Sequence, residues 1–468
     1  MGQIKTPFRF RDLNENTLVT NEVGDFNLFS KDFPDRHAHR KLDPSEVKAL
    51  EDLSIEFPDS QKWRVAALKN RIHWSQNRPE LNYLILIPTL RCDLSCTYCQ
   101  VSRAPVNSQG YDWDEETFKK VLYFISKLKS KEIKIEFQGG EPTLRIDLIK
   151  RVIEFCDQKF DKHEYVICSN MTTLSNDVRE LLERDDFTIS TSIDGDNDIM
   201  TINRTQDLEK SKTILKNIKE VQSIYGQHKI SALPTITSAS VSAVKALVDQ
   251  YIDLGFSGVF LRPVNYMGFA RKKHSESHDW NPVWENFYRE SIEYIASVNK
   301  KQYFEEYSLS VLLKTVFLGS DSGFVDHRSP ANYATDYLLI DYDGTFFPTD
   351  ESRMLSRIGQ IDLSIGNVEA GIDNEKLSAI NKSAIHQDNP DCIHCAYMPF
   401  CGVDIIDDLS RYGRIDLAKR NTWFCNRQKY LLDLIFKAYE SKNTALMDPF
   451  LMWTYHKSAP IGYGGLYD

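Results

Sequence analysis

This chain lacks an excess of basic charge, a rich supply of cysteine and any long apolar run, and each absence excludes a class of protein. Its 57 Lys and Arg face 67 Asp and Glu, a formal net charge of -10, which argues against a broad electrostatic hold on nucleic acid or anionic lipid. Nine cysteines in 468 residues are too few for a disulfide scaffold and point instead to metal binding or catalysis. The longest strongly apolar stretch, Leu81 to Leu90, is interrupted by Asn82 and Pro88 and falls far short of the roughly 20 residues that cross a bilayer. The opening MGQIKTPFRFRDLNEN has no apolar segment of the secretory kind; such a start is expected of a cytoplasmic protein. A peptide or a small molecule is left as the natural partner, with no role for nucleic acid or membrane.

What is present is a globular composition. Hydrophobic residues make up 41% and charged residues 26%, with 25 Phe, 22 Tyr and 7 Trp, so disorder and collagen are excluded. At about 150 residues per domain the length suggests roughly three units. Residues 8 to 30, FRFRDLNENTLVTNEVGDFNLFS, alternate apolar and polar positions around Asn and Gly, which predicts two or three short antiparallel strands. DPSE at 43 to 46 reads as a helix start, with Asp at the N-cap and Pro in the first turn. From about residue 80 strands are expected near 82–88, 132–138, 164–169, 187–193, 228–234 and 258–262, with amphipathic stretches near 115–130, 146–160, 174–184, 206–224 and 239–255 between them. Strand followed by helix, repeated six times, predicts an α/β fold, a partial (β/α)6 barrel with its chemistry at the C-terminal strand ends.

Seven of the nine cysteines fall in two groups, with Cys156 and Cys168 standing alone as packing residues. The first group follows the strand LNYLILI in PTLRCDLSCTYCQVSR, where Cys92, Cys96 and Cys99 are spaced Cys-x3-Cys-x2-Cys. Three thiolates can hold three irons of a [4Fe–4S] cluster and leave the fourth open to a small molecule. Zinc is the weaker alternative, because it prefers four ligands and no fourth Cys or His lies nearby.

With Tyr98 as the aromatic residue, this triplet resembles that of the radical S-adenosylmethionine (SAM) enzymes. The strand KIEFQGGEPTL supplies Gly139, Gly140 and Glu141, similar to the family's GGE motif. TISTSIDGDNDIMTINR resembles its S-x-D-G stretch and following arginine, here Ser192, Asp194, Gly195 and Arg204. The resemblance implies that the strand end at 139 to 141 accepts hydrogens from the SAM amino group, and that Ser192 and Arg204 hold the SAM carboxylate and adjoining polar groups. Ser169 and Asn170, at the end of another strand, are further candidates at the barrel mouth.

The second group, Cys392, Cys395 and Cys401 in CIHCAYMPFC followed by Cys425, makes a closed four-thiolate set, which by spacing alone suits zinc or a fully ligated [4Fe–4S] cluster. It resembles the C-terminal SPASM extension of some radical SAM enzymes, which normally holds two auxiliary clusters. This chain departs from that pattern. After Gly344 and four intervening residues stands Thr349 where the family has cysteine, and Ile405 occupies the last position of the Cys-x3-Cys segment. The resemblance therefore implies a single auxiliary cluster, ligated by Cys392, Cys395, Cys401 and Cys425. It also suggests Asp350 as a catalytic base, by its match to the base of sulfatase-maturing members, and a carboxylate there could remove the proton released when a substrate radical is oxidised. Asp404 and His394 carry less weight, His394 as an exposed residue. The aromatics of NYMGFA and DPFLMWTYH are read as core.

The expected organisation is an accessory module over 1–78, a radical SAM partial barrel over 79–300, a SPASM-like domain over 301–440 and a tail over 441–468, whose Gly-rich end APIGYGGLYD docks or stays mobile. The closest detailed resemblance is to the His-Xaa-Ser system radical SAM maturases of the B type, through TLRCDLSCTYCQVSR, DGTFFPTDESRML, CAYMPFCGVD and NEVGDFNLFS. That resemblance implies cleavage of SAM to a 5′-deoxyadenosyl radical that modifies a ribosomally made precursor peptide, a paired second radical SAM maturase, and a reductant such as flavodoxin or ferredoxin. The alternatives are an enzyme like the anaerobic sulfatase maturases and a non-catalytic, metal-stabilised peptide-binding protein. The N-terminal strands are candidates to hold a precursor leader by β-augmentation.

Overall fold

The computed structural model describes residues 4–57, 80–319, 333–335, 337–387 and 389–456. The expected boundary at 78 and the end of the tail, 457–468, lie outside the described residues. Five parallel strands, Tyr83–Leu86, Glu132–Phe137, Lys162–Cys168, Phe187–Ser192 and Ile230–Leu233, stand side by side in chain order. Between and after them run the helices Glu115–Ser126, Ile146–Lys159, Asn176–Leu182, Leu208–Tyr225 and Val244–Asp253. The strand period of two sorts the side chains. Ile133, Ile135 and Phe137 join Val121, Val152, Ile153 and Ile218 in the core, whereas Lys134, Glu136 and Gln138 alternate with them.

The sixth expected strand is a correction. Residues 258 to 263 form two short pieces, Gly258–Val259 and Arg262–Pro263, and the second pairs with Thr235–Ile236, which continues the fifth strand beyond Pro234. Pro234 and Pro263 lack the N–H that an unbroken ladder needs. The other edge gains a strand not foreseen from the pattern: Leu338–Ile340 lies parallel to Tyr83–Leu86 and turns back into Phe346–Phe347. The protein is thus an α/β molecule with an open, partial barrel, and a C-terminal region that completes the sheet. No helix among the described residues is long and apolar enough to cross a membrane.

Glu306 secures the broken sixth strand. It caps the helix Tyr307–Leu318 by accepting from Leu309 N at 2.7 Å, takes Leu261 N at 2.9 Å, and accepts from Tyr288 OH. Burial pushes its carboxyl up to about 7, against an ordinary 4.5. The folded state therefore keeps a proton that the unfolded chain has lost, and stability falls as pH rises from about 4.5 to about 7, by about 3 kcal/mol. A Glu306→Gln variant is expected to show a flatter melting temperature across that window than the wild type. Parallel pH profiles would contradict the assignment.

The N-terminal meander, Arg9–Asp12, Asn16–Thr20 and Phe26–Ser30, and the capped helix Pro44–Asp52 enclose a small core of Val19, Phe29, Phe33, Leu50, Leu53 and Ile55. The opposite face of the meander docks on the C-terminal region. Arg11 makes a bidentate pair with Asp433 at 2.9 Å, Thr20 Oγ donates to Ala396 O at 2.9 Å, and Arg9 Nε donates to Ile393 O at 2.8 Å. Ile393 and Ala396 belong to the second cysteine loop, so the module braces that loop directly.

Candidate active site

The segment carrying Cys92, Cys96 and Cys99 lies over the C-terminal ends of the parallel strands, and contacts from distant parts of the chain fix its path. At its start, Thr89 Oγ and Arg91 Nε both bond Asp112, at 2.5 and 2.8 Å. Thr97 N donates to Asn203 O at 2.7 Å, Phe269 N donates to Cys99 O at 2.8 Å, and the buried Arg353 donates to Val101 O at 3.1 Å. A Cβ on Gly268 would meet Gln100 O at 2.4 Å, so this crossing also needs glycine.

Gly139 and Gly140 are required for a related reason. Gly139 has φ +133, and a Cβ on it would sit 2.2 Å from Thr89 O; on Gly140 it would sit 2.3 Å from Arg91 O. Their lack of side chains lets the strand end lie against the cysteine segment, joined by Gly140 N to Thr89 O at 3.0 Å and Glu141 N to Arg91 O at 2.8 Å. Glu141 is buried beneath, accepting from Ser169 Oγ at 3.0 Å, Asn170 N at 2.8 Å and Thr143 Oγ at 2.6 Å. It organises the mouth without lining the cavity.

That cavity, about 240 Å³, brings together Cys92, Cys96, Cys99, Tyr98, Gly139, Gly140, Ser169, Asn170, Ser192, Arg204 and Asp350. Tyr98 OH donates to Asp194 at 2.7 Å and accepts from Arg204 Nη1 at 2.6 Å. Asp194 also takes Thr235 N at 3.0 Å, so the S-x-D-G aspartate ties its own strand end and the next one to the cysteine segment. Arg204 Nε is buried with no acceptor, a vacancy suited to an anionic group such as a carboxylate. Burial pushes the Cys92 thiol up to about 12 and the Cys96 thiol to about 11, while Arg204 pulls Cys96 back. Leu94 N donates to Cys92 Sγ at 3.4 Å. The donor set of three half-buried thiols around one cavity fits a site-differentiated iron–sulfur cluster.

Asp350 opens the helix Asp350–Arg357 on another wall of the cavity, and Thr349 is its N-cap, bonding Ser352 N at 3.0 Å. The position where the resembled pattern carries cysteine is thus used to cap a helix. Ile405 likewise packs in an apolar cluster with Met354, Leu355 and Ile406. Cys168, expected as a packing residue, instead lines the cavity, and its thiol donates to Glu136 Oε1 at 3.1 Å while Tyr83 OH donates to Glu136 Oε2 at 2.5 Å. The sequence signal for Glu136 is its place in the polar phase of the strand Glu132–Phe137, alternating with Ile133, Ile135 and Phe137. Cys156 is buried in its helix.

Cys392, Cys395, Cys401 and Cys425 line a second site together. Burial, with the neighbouring cysteines, pushes Cys392 up to about 12 and Cys401 well above its ordinary value, so loading a metal must release protons. Among the described residues no three cysteine sulfurs lie within 4.8 Å of one another. Four thiolates on a tetrahedral zinc would be about 3.8 Å apart, from a Zn–S bond of about 2.3 Å; the wider spacing suits a cubane cluster. In the trio that does meet that distance, Asp157, His163 and Asp186, both carboxylates already pair with Arg184 at 2.8 Å. His394 is exposed.

Residues 86–247 match the model of the radical SAM superfamily. An uncharacterized protein of Methanocaldococcus jannaschii is 32% identical over 117 residues, 25% of this chain and 39% of that protein, so the chain spans well under half of that relative's length. A cysteine-type anaerobic sulfatase-maturating enzyme of Clostridium perfringens is 23% identical over 292 residues, covering 58% of this chain and 75% of the enzyme. Among solved structures, native anSMEcpe with bound AdoMet and Cp18Cys peptide superposes with a TM-score of 0.58 at 17% identity, over 78% of this chain and 99% of that one. Streptococcus suis SuiB bound to its precursor peptide SuiA superposes with a TM-score of 0.53 at 15% identity, over 91% and 100%. The chain carries a radical SAM domain, and its fold is that of these proteins.

Proposed function

We propose that this chain is a radical SAM enzyme that modifies a ribosomally made precursor peptide, in the manner of the His-Xaa-Ser system maturases. The observation that carries the reading is the convergence of the three thiols, the Gly139–Gly140 strand end and the buried Arg204 on one cavity. A [4Fe–4S] cluster on Cys92, Cys96 and Cys99 with SAM on its open iron would supply a radical able to remove hydrogen from an unactivated carbon. Arg204, set by Tyr98, would hold the SAM carboxylate, with Ser192, Ser169 and the Gly139–Gly140 strand end beside it. Asp350 faces the same space and would take up the proton lost on substrate oxidation. The second set, closed by four cysteines, would hold an auxiliary cluster for electron transfer, fed by a flavodoxin or ferredoxin, and a paired second maturase would act on the same precursor.

Anaerobic reconstitution with iron and sulfide tests this, followed by an assay for 5′-deoxyadenosine under dithionite. About eight irons per chain with reductive SAM cleavage are expected. Zinc without cleavage would replace the reading by a metal-stabilised binding protein. The likeness to a sulfatase-maturating enzyme supports a second reading, oxidation of Ser or Cys in a sulfatase, which turnover on a short sulfatase peptide would reveal. Thr349 and Ile405, in place of two cysteines, weigh against it.

The division at about residues 78, 300 and 440 belongs to the same proposal, with one amendment. Because Arg9 and Thr20 brace the second cysteine loop, and Arg11 lies over its Tyr397 ring and pairs with Asp433 on the helix that carries Cys425, an N-terminal deletion should unsettle the auxiliary site as well as any leader binding. Arg11→Ala is expected to lower iron content toward about four per chain while SAM cleavage persists, read by iron analysis and electron paramagnetic resonance. Unchanged iron would return the module to leader binding alone.

A further inference from the structure

A second cavity, about 150 Å³, lies between the barrel and the second cysteine loop. It shares Arg262 and Pro263 with the first cavity, and Cys401, Gly402 and Asp404 with the four-cysteine site. Thr349 lines it, so it adjoins the position where the resembled pattern carries a first auxiliary ligand. The chain has built something else there.

The wall is rich in donors. Helix Trp423–Ser441 carries Cys425 toward the four-cysteine site, and Arg427, two residues and about 200° further round, faces this cavity. Trp423, one turn earlier, supports it, with the Arg427 guanidinium carbon 4.7 Å from the indole centroid. Arg411 stacks on the same ring at 3.9 Å, with its Nε on Asp407 at 2.8 Å and its Nη1 on the carbonyls of Ser277 and His278 at 2.6 and 2.7 Å, while its Nη2 is buried without an acceptor. Arg427 makes no hydrogen bond or ion pair with the described residues, and its Nε is buried without an acceptor, as are the indole nitrogens of Trp423 and Trp284 on the same wall. Three acids share this wall: Asp407 is committed to Arg411 and Asp404 to capping Ile406 N and Asp407 N at 3.0 and 2.8 Å, and Glu351 is engaged elsewhere. Arg427 is half-buried, and an Nε shut off from water with no acceptor is costly; a carboxylate entering the cavity would satisfy it in bidentate fashion together with a terminal nitrogen.

We propose that this cavity binds a carboxylate of the peptide substrate through Arg427, and so selects an acidic side chain or a chain end close to the residue that is modified. The inference rests on the peptide-modifying reading above. Four acetylated glycine heptapeptides are the probes: one with central Glu and an amidated end, its Gln counterpart, one of glycine alone with a free C-terminal carboxylate, and its amide. Binding to the cluster-loaded, full-length protein is followed by ligand-observed NMR. One acidic probe is expected to bind about 10- to 100-fold more tightly than its neutral partner, and which one does so identifies the source of the carboxylate. Arg427→Gln should erase the preference, and Arg427→Lys should keep part of it. Equal binding of acidic and neutral probes by the wild type, no binding of either acidic probe at millimolar concentration, or an undiminished preference in Arg427→Gln would each overturn the inference. SAM cleavage by the same wild-type sample reports separately: with 5′-deoxyadenosine formed and no preference seen, only the carboxylate site fails, whereas without it the radical SAM reading fails first.

Discussion

Replacing Cys92, Cys96 and Cys99 together with alanine is expected to lower reductive formation of 5′-deoxyadenosine by at least about a thousandfold, to the level of protein-free controls, while the chain still folds and keeps about four irons on its second cysteine set. The expectation of folding follows from burial. All three side chains are only partly buried, and their segment is held by backbone contacts to Asn203 and Phe269 and by Arg353, none of which passes through sulfur. The loss of activity follows from ligation, because the reading places SAM on an iron held by these three thiolates. Of the other cavity residues, Ser192 and Asp350 are hard oxygen donors, poorly matched to an iron–sulfur cluster, and Cys168, whose thiol donates to Glu136, is a single thiol where three are needed. Retention of cleavage by the triple variant would sink the assignment of the first site. A fall in iron to zero would show instead that the two sites load together.

Gly139→Ala should be nearly as damaging, by a different route. The residue has φ +133, and the new Cβ would lie 2.2 Å from Thr89 O, a backbone atom that cannot step aside because it also accepts Gly140 N at 3.0 Å. Backbone strain and steric overlap together are expected to cost about 3–5 kcal/mol and to move the strand end away from the cysteine segment, so stability and SAM cleavage fall together. Gly110→Ala is the control. It also has a positive φ, +78, but its Cβ would meet nothing within 4 Å, and it should cost only about 1 kcal/mol. Urea unfolding of the two variants separates the effects; a Gly139→Ala cost no greater than the control would show that the close approach to Thr89 is not needed.

Local patterns carried much of the fold. Strand and helix periods placed five of the parallel strands and the helices between them, because each element buries one face and the sequence must repeat with its geometry. DPSE stated its own capping box. The sixth strand was misread for the same local reason: the apolar run was visible, but which neighbour it pairs with depends on how Pro234 and Pro263 interrupt the ladder. The edge strand Leu338–Ile340 could not be read as a neighbour of Tyr83–Leu86, since about 250 residues separate them and pairing leaves no mark in either segment.

The candidate site divides the same way. By itself the sequence determined the chemical inventory: which thiols are grouped, that the first set has three and the second four, and that Thr349 and Ile405 stand where cysteine would complete another site. Spacing within a few residues fixes what one segment can ligate. Only the tertiary structure decided what faces what. It put Arg204 on Tyr98 and left its Nε open, brought Asp350 to the cavity of the cysteines about 250 residues earlier, turned Cys168 toward Glu136, set the N-terminal module against the second cysteine loop and left the Arg427 Nε without an acceptor among the described residues. Those relations arise when separate elements pack against one another, and burial then decides which charges are paired and which wait for a partner.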